Sequence, residues 1–223
     1  DHHAYCCVFN FDRTKFKVFI TDQRDIVLNL KIMERDFLRF LSSAFGVFEI
    51  KGFNELGIRG EIKLYKKGER LITQGELAPK IFYFTQGLTR YVSVSSDGKE
   101  FTQSFAHGPC IAGSTRAMVR QVPTNFSIEV IEDVLCLEFD WQSFFNAMKK
   151  DLGFLETYTR MIEALFIGKE EREYAFVQKT AEERYLDFLD KHADLVDKIP
   201  LQYIASYIGI TPVALSRIRK RLK

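Results

Sequence analysis

The spacing of apolar residues changes character along this 223-residue chain. From Met33 onward, Phe37, Leu38 and Leu41 recur on one face at helical spacing and predict a helix. Between Gly60 and Phe139 the apolar segments become short and turn-bounded: 62–64, 71–72, 81–84, 91–94, 101–105, 126–131 and 134–139. Gly68, Gly75, Gly87, Gly98 and Gly108 punctuate them. Ser96-Asp97-Gly98 is a hairpin signal, because Asp-Gly accepts the positive φ of a tight turn. Many short strands at this spacing predict a small antiparallel barrel or jelly roll. After Trp141 the period turns helical. Leu155, Tyr158, Ile162 and Leu165 form a coiled-coil-like stripe, which suits either packing on the chain's own barrel or a dimer helix. Nothing forces that helix to stop at Gly168. Thr180-Ala-Glu-Glu183 is a capping box, so a new helix starts there and runs through Tyr185, Leu186 and Leu189.

The segment 199–223 carries the pattern of a helix-turn-helix. Ile204 and Ile208 lie four apart on one face of a first helix, and Ala205 is small where the two helices approach. Gly209 follows where a left-handed turn is needed, and Ile210 is expected to be buried in the turn. Thr211 can cap the next helix, with Pro212 at its first position. Leu215 and Ile218 point back at the first helix, which leaves Val213, Ser216, Arg217 and Lys220 on the other face. In such a motif the second helix enters the major groove of double-stranded DNA. Thr211, Val213, Ser216, Arg217 and Lys220 would then face the groove, with Arg217 placed for a bidentate contact to guanine. Gln202, Arg219, Arg221 and Lys223 would touch phosphate.

Charge points the same way. Arg217, Arg219, Lys220, Arg221 and Lys223 give this segment +5 with no acidic residue. Subtracting that from the chain's +2 leaves −3 for the first 198 residues. A basic tip on a mildly acidic body suits a local phosphate contact, although basic residues also suit any helix C-terminus. The chain is 46% hydrophobic and holds 21 Phe, so it can bury a sizeable core as one large domain or two small ones. No apolar run is long enough to span a bilayer and no secretory signal is evident, which predicts a cytoplasmic chain. Cys6, Cys7, Cys110 and Cys136 lack metal-type spacing and are expected as free thiols, with Cys110 and Cys136 in the core. Residues 1–32, with β-branched and aromatic residues at 18–20, show no pattern that pairs them with the rest and are set apart as an extension.

A glycine-punctuated β-roll, a long helix and a C-terminal helix-turn-helix, in that order, resemble the Crp/Fnr family of bacterial transcription regulators. The resemblance covers 33–223. It is carried by Tyr65-Lys-Lys-Gly-Glu-Arg-Leu-Ile-Thr-Gln-Gly-Glu76, Ile81-Phe-Tyr-Phe-Thr-Gln-Gly87, Ser96-Asp-Gly-Lys-Glu100 and the helix-turn-helix. It implies an α+β fold: a cyclic nucleotide-binding-like jelly roll over 33–150, a dimerisation helix over 151–179 and a DNA-binding domain over 180–223. It also implies a homodimer reading a palindromic site, an effector in the roll that changes the angle between the halves, and RNA polymerase as a further partner.

Members that bind cyclic AMP carry Gly-Glu after a strand and later Arg-Ser or Arg-Thr; Glu accepts from the ribose hydroxyl and Arg neutralises the phosphate. By register, Ala112-Gly113 stand where Gly-Glu is expected and Thr124-Asn125 where Arg-Ser is expected. Gly113, Ser114, Thr115, Thr124 and Asn125 thus mark an effector pocket without the two charged contacts, and the effector is expected to differ from cyclic AMP. Arg116 or Arg120 could meet a phosphate from another position, or lie solvated on the surface. The family's iron–sulfur branch needs a cysteine cluster that these four do not match. For the family's haem branch, His107 could be proposed as an axial ligand, but a lone His before Gly108 reads more readily as a loop residue. Members often carry a β-hairpin wing after the recognition helix, whereas this sequence reaches Lys223 about one turn beyond Ile218.

Other classes fit less well. No phosphate loop, nucleophile–base spacing or metal-ligand pair points to an enzyme, and no resident cofactor is expected. The alternative to a regulator is a ligand-sensing or protein-interaction module whose DNA-binding motif is vestigial.

Overall fold

The computed structural model describes residues 23–45 and 52–222, with side chains of the first helix over 29–41. Cys6, Cys7, the 18–20 stretch and Lys223 lie outside the described residues. The chain forms helix α1 (Gln23–Phe45), then strands β1 (Glu61–Tyr65), β2 (Arg70–Ile72), β3 (Lys80–Phe84), β4 (Leu88–Val94), β5 (Glu100–His107) and β6 (Cys110–Ala112). Helix α2 (Thr115–Arg120), β7 (Ser127–Glu132) and β8 (Val134–Asp140) complete the roll. Helices α3 (Trp141–Met148), α4 (Leu152–Gln178), α5 (Ala181–Lys191), α6 (Leu201–Ile208) and α7 (Pro212–Arg221) follow. This is the expected α+β order.

The strands make two antiparallel four-stranded sheets, β1-β8-β3-β6 and β2-β7-β4-β5. Their facing sides enclose Tyr65, Phe82, Phe84, Cys110, Ile128, Val130 and Cys136. Both sheets are also covered outside. Helices α1, α3 and the start of α4 bury Ile81, Tyr83, Leu137 and Phe139, with Phe37 of α1 ringed by Phe53, Tyr83, Phe139 and Phe144 at 5.1–6.0 Å. The C-terminal helices bury Leu88, Phe105 and Ile131 of the other sheet. Burial on both faces is why 81–84 and 134–137 read as unbroken apolar runs instead of alternating ones. Glu138, buried on β8, accepts from Tyr65 Oη at 2.7 Å and from Lys80 Nζ at 2.8 Å, so its charge is partnered across the sheet.

Three features differ from the sequence reading. Helix α1 begins at Gln23 and runs through Met33 without a break, so the 1–32 extension does not end where the helical face was predicted to begin. The stretch read as a cassette holds a strand, β6, paired with Phe82–Phe84, and a six-residue helix, α2. Both are too short to show a period. The stripe on α4 divides: Leu155 and Tyr158 pack on the chain's own core, where Tyr158 meets Trp141 and Phe145, whereas Ile162 and Leu165 lie beyond it. Side chains one turn further along the same helix have passed the α3 rings that Tyr158 meets.

The seam between roll and C-terminal helices holds His192, 4% exposed, among the rings of Phe105, Phe188 and Tyr207. Burial, and then the charge of Lys191, push its imidazole down to about 4 from 6.5. Above pH 6.5 the ring is neutral in both folded and unfolded chains. As pH falls from 6.5 towards 4, the unfolded chain binds a proton that the folded chain refuses, so stability is lost at up to about 1.4 kcal/mol per pH unit. Urea denaturation at pH 7 and pH 4.5 is expected to show a smaller stability loss for His192→Phe than for the wild type; equal losses would contradict this account.

Candidate functional site

Local sequence chemistry builds the helix-turn-helix. At the start of α5, Glu183 N–H donates to Thr180 Oγ1 at 3.2 Å and Thr180 N–H donates to Glu183 Oε2 at 2.7 Å, completing the capping box. Helix α6 ends at Gly209 with φ +78°. A Cβ there would lie 2.6 Å from the Phe176 ring, so both the backbone and the space select glycine. Thr211 Oγ1 accepts from Ala214 N–H at 3.2 Å, and Pro212 opens α7. Ile204, Ala205 and Ile208 are buried against Leu215 and Ile218, while Ile210 is half-buried beside them.

That packing turns the opposite side of α7 outward. Thr211, Val213, Ser216, Arg217 and Lys220 are all exposed, Val213 to 62%. Gln202 is exposed on α6. Arg219 is half-buried, and Arg221 is ion-paired to Glu182 of α5 at 2.7 Å, so neither extends the outward face as freely as Lys220.

The motif is docked on the roll. Helix α6 lies along β5, the edge strand of its sheet, and Ser206 Oγ takes the place of a strand partner. It accepts from Thr102 N–H at 2.9 Å and donates to Glu100 C=O at 3.1 Å. Tyr203 lies over the Arg90 guanidinium at 3.5 Å. Arg90, whose side chain is 3% exposed, reaches Glu100 and Glu129 at 2.8 Å each. The sequence reading missed these residues. Their signal was a lone arginine inside the apolar strand 88–92, where a charge must find partners from another element.

The predicted effector residues are held by the roll itself. Ser114 is buried and its hydroxyl accepts from Ala117 N–H at 3.3 Å, capping α2. Thr124 is buried; its hydroxyl donates to Phe126 C=O at 3.1 Å and its backbone bonds Gly75 and Glu76. Gly113 lies against Met118, whereas Thr115 and Asn125 are exposed. Arg116 is exposed and donates to Pro123 C=O at 3.4 Å. Arg120 is exposed in the last turn of α2. The rings of Tyr91 and Phe126 meet at 5.3 Å on the roll interior. Cys110 and Cys136 are buried free thiols, and His107 ends β5 half-buried.

Residues 62–151 match the cyclic nucleotide-binding domain family. No curated protein matches the chain. Among solved structures, FixK2 from Bradyrhizobium japonicum is similar at 20% identity and TM-score 0.65, over 74% of this chain and 84% of that one. A CooA mutant from Carboxydothermus hydrogenoformans is similar at 19% identity and TM-score 0.61, over 78% and 80%. A protein from Eubacterium rectale assigned to the Crp/Fnr family of transcriptional regulators is similar at 15% identity and TM-score 0.60, over 73% and 78%. The chain therefore has the fold of these solved structures, and its match to the cyclic nucleotide-binding domain family lies over the roll.

Proposed function

We propose that this chain is a DNA-binding transcription regulator of the Crp/Fnr type, which binds a palindromic site as a homodimer. The observation that carries the reading is the outward face of α7, where Thr211, Val213, Ser216, Arg217 and Lys220 stand together in a segment with no acidic residue. Val213 is shaped to meet a thymine methyl, Ser216 can serve as donor or acceptor, and Arg217 offers the fork that matches guanine O6 and N7. Lys220, one turn on, suits a phosphate. Gln202, Arg219 and Arg221 serve as flanking phosphate contacts, Arg221 by exchanging Glu182 for phosphate.

Dimerisation is assigned to the part of α4 beyond the roll. Leu155 and Tyr158 serve the chain's own core, so the face passes to Ile162, Leu165 and Phe166, the last 61% exposed. The effector reading follows from the cassette. With Gly113 where a carboxylate would meet ribose, and Thr124 tied into the roll, the pocket offers a cyclic phosphate no charge at the two expected places.

Selection from a random DNA pool is expected to return a two-fold symmetric consensus whose affinity falls steeply with salt. Arg217→Ala should relax one position of each half-site and cost on the order of 1–3 kcal/mol. Unchanged affinity would refute the Arg217 assignment. No enrichment, with or without small-molecule extract, would favour the ligand-sensing module instead. In sedimentation, Leu165→Glu with Phe166→Glu should convert dimer to monomer, since each lost apolar contact removes roughly 1.5–3 kcal/mol of burial. Calorimetric titration with cyclic AMP is expected to show no micromolar binding, and a micromolar Kd would overturn the effector reading.

A further inference from the structure

One side chain of α4 bonds both the end of α6, beside the turn of the helix-turn-helix, and the edge strand of the roll. Arg172 lies on α4, six residues before its end at Gln178. Its Nη2 donates to Thr102 C=O of β5 at 3.1 Å and to Tyr207 C=O of α6 at 2.9 Å. The guanidinium also lies 4.2 Å from the Tyr207 ring centroid and 4.8 Å from that of Phe176.

Two of these contacts fall on α6, one on β5 and one on α4 itself. The last four carbonyls of a helix have no partner within it. In α6, Tyr207 C=O takes Arg172 and the next carbonyl, Ile208, takes Arg184 Nε at 2.9 Å. Two cations at that end also suit the helix dipole. Phe176 sits between the two arginines, at 4.8 and 4.9 Å, and rests on Gly209 at the turn. Thr102, at the other end, belongs to the edge strand whose N–H is taken by Ser206. One guanidinium thus joins the effector-domain sheet, the long helix and the end of α6, four residues before the α7 cap at Thr211.

We propose that Arg172 is the positioning residue that fixes the orientation of the recognition helix against the roll. Lysine cannot replace it, because a compact ammonium lacks the planar surface that stacks on both rings while donating in its plane. The proposal rests on the DNA-binding reading for its consequence, but not for its geometry.

The test separates the two. Spin labels at Lys67→Cys, on the β1–β2 turn, and Leu222→Cys, after α7, report the distance between the halves of the full chain in a Cys6→Ser, Cys7→Ser background, diluted with unlabelled protein. Without DNA, the parent protein is expected to give one narrow distribution. Arg172→Lys and Arg172→Gln should both broaden or shift it, and Lys169→Gln, an exposed neighbour on α4, should not. A merely stabilising contact would lower the melting temperature and leave the folded distance unchanged. Unlabelled Arg172→Lys should bind the selected DNA site roughly tenfold more weakly, a coupling of ordinary size. Parent-like distances in both variants overturn the proposal whatever the DNA result. Altered distances with no DNA binding by the parent protein uphold it and refute the regulator reading.

Discussion

The docking of α5, α6 and α7 depends on α6 being buried on two sides at once. One side packs Ile204, Ala205 and Ile208 into the helical domain. The other meets β4 and β5 through Tyr203 and Ser206. At that second surface lies Arg90, and removing a guanidinium from water costs several kcal/mol unless its charge is met. Glu100, Glu129 and the Tyr203 ring meet it, although Nη1 has no partner. The seam is therefore a mixed one. Phe105 and Leu88 supply apolar burial, while the ionic cluster at its margin could be rehydrated if the halves parted. Such an interface specifies one docked geometry without making separation prohibitive.

Edge chemistry explains why β5 is the strand that meets the helices. An edge strand presents unpaired N–H and C=O groups, which have to be covered or solvated. Here Thr102 N–H, Thr102 C=O and Glu100 C=O find Ser206 and Arg172 instead of another strand. The helical domain thus finishes the sheet as well as burying it.

The sequence revealed the parts whose physics is local. Gly209, Thr211, Pro212 and the apolar pairs of the helix-turn-helix announce themselves within a few residues, as does the capping box at Thr180. The principal strands between 61 and 140 were visible through their glycine punctuation. What was not visible depends on contacts made across long separations. Whether Leu155 and Tyr158 serve the core or a dimer is decided by the extent of α3 and the sheet beneath them. Arg172 carries no local signal, since an arginine on a charged helix reads as solvated until Thr102 and Tyr207, 70 residues before it and 35 after it, are brought to its side. The three-residue β6 is specified by its pairing with β3 and not by its own period.

These contacts also constrain how the roll could communicate with α7. Both sheets are covered on their outer faces, so a change inside the roll cannot pass outward through solvent; it has to move a strand. On the sheet that faces the helical domain, the strands pass inward-facing and outward-facing side chains in alternation, which makes a shift of Tyr91 inside inseparable from a shift of Arg90 and Val92 outside. Tyr91 meets Phe126 beside the predicted effector residues, and Arg90 meets Tyr203 of α6. The neighbouring strand, β5, carries the bonds to Ser206 and Arg172. A ligand that displaced the Tyr91–Phe126 pair would therefore act on the first helix of the motif through two adjacent strands, without needing any contact of its own with the C-terminal helices.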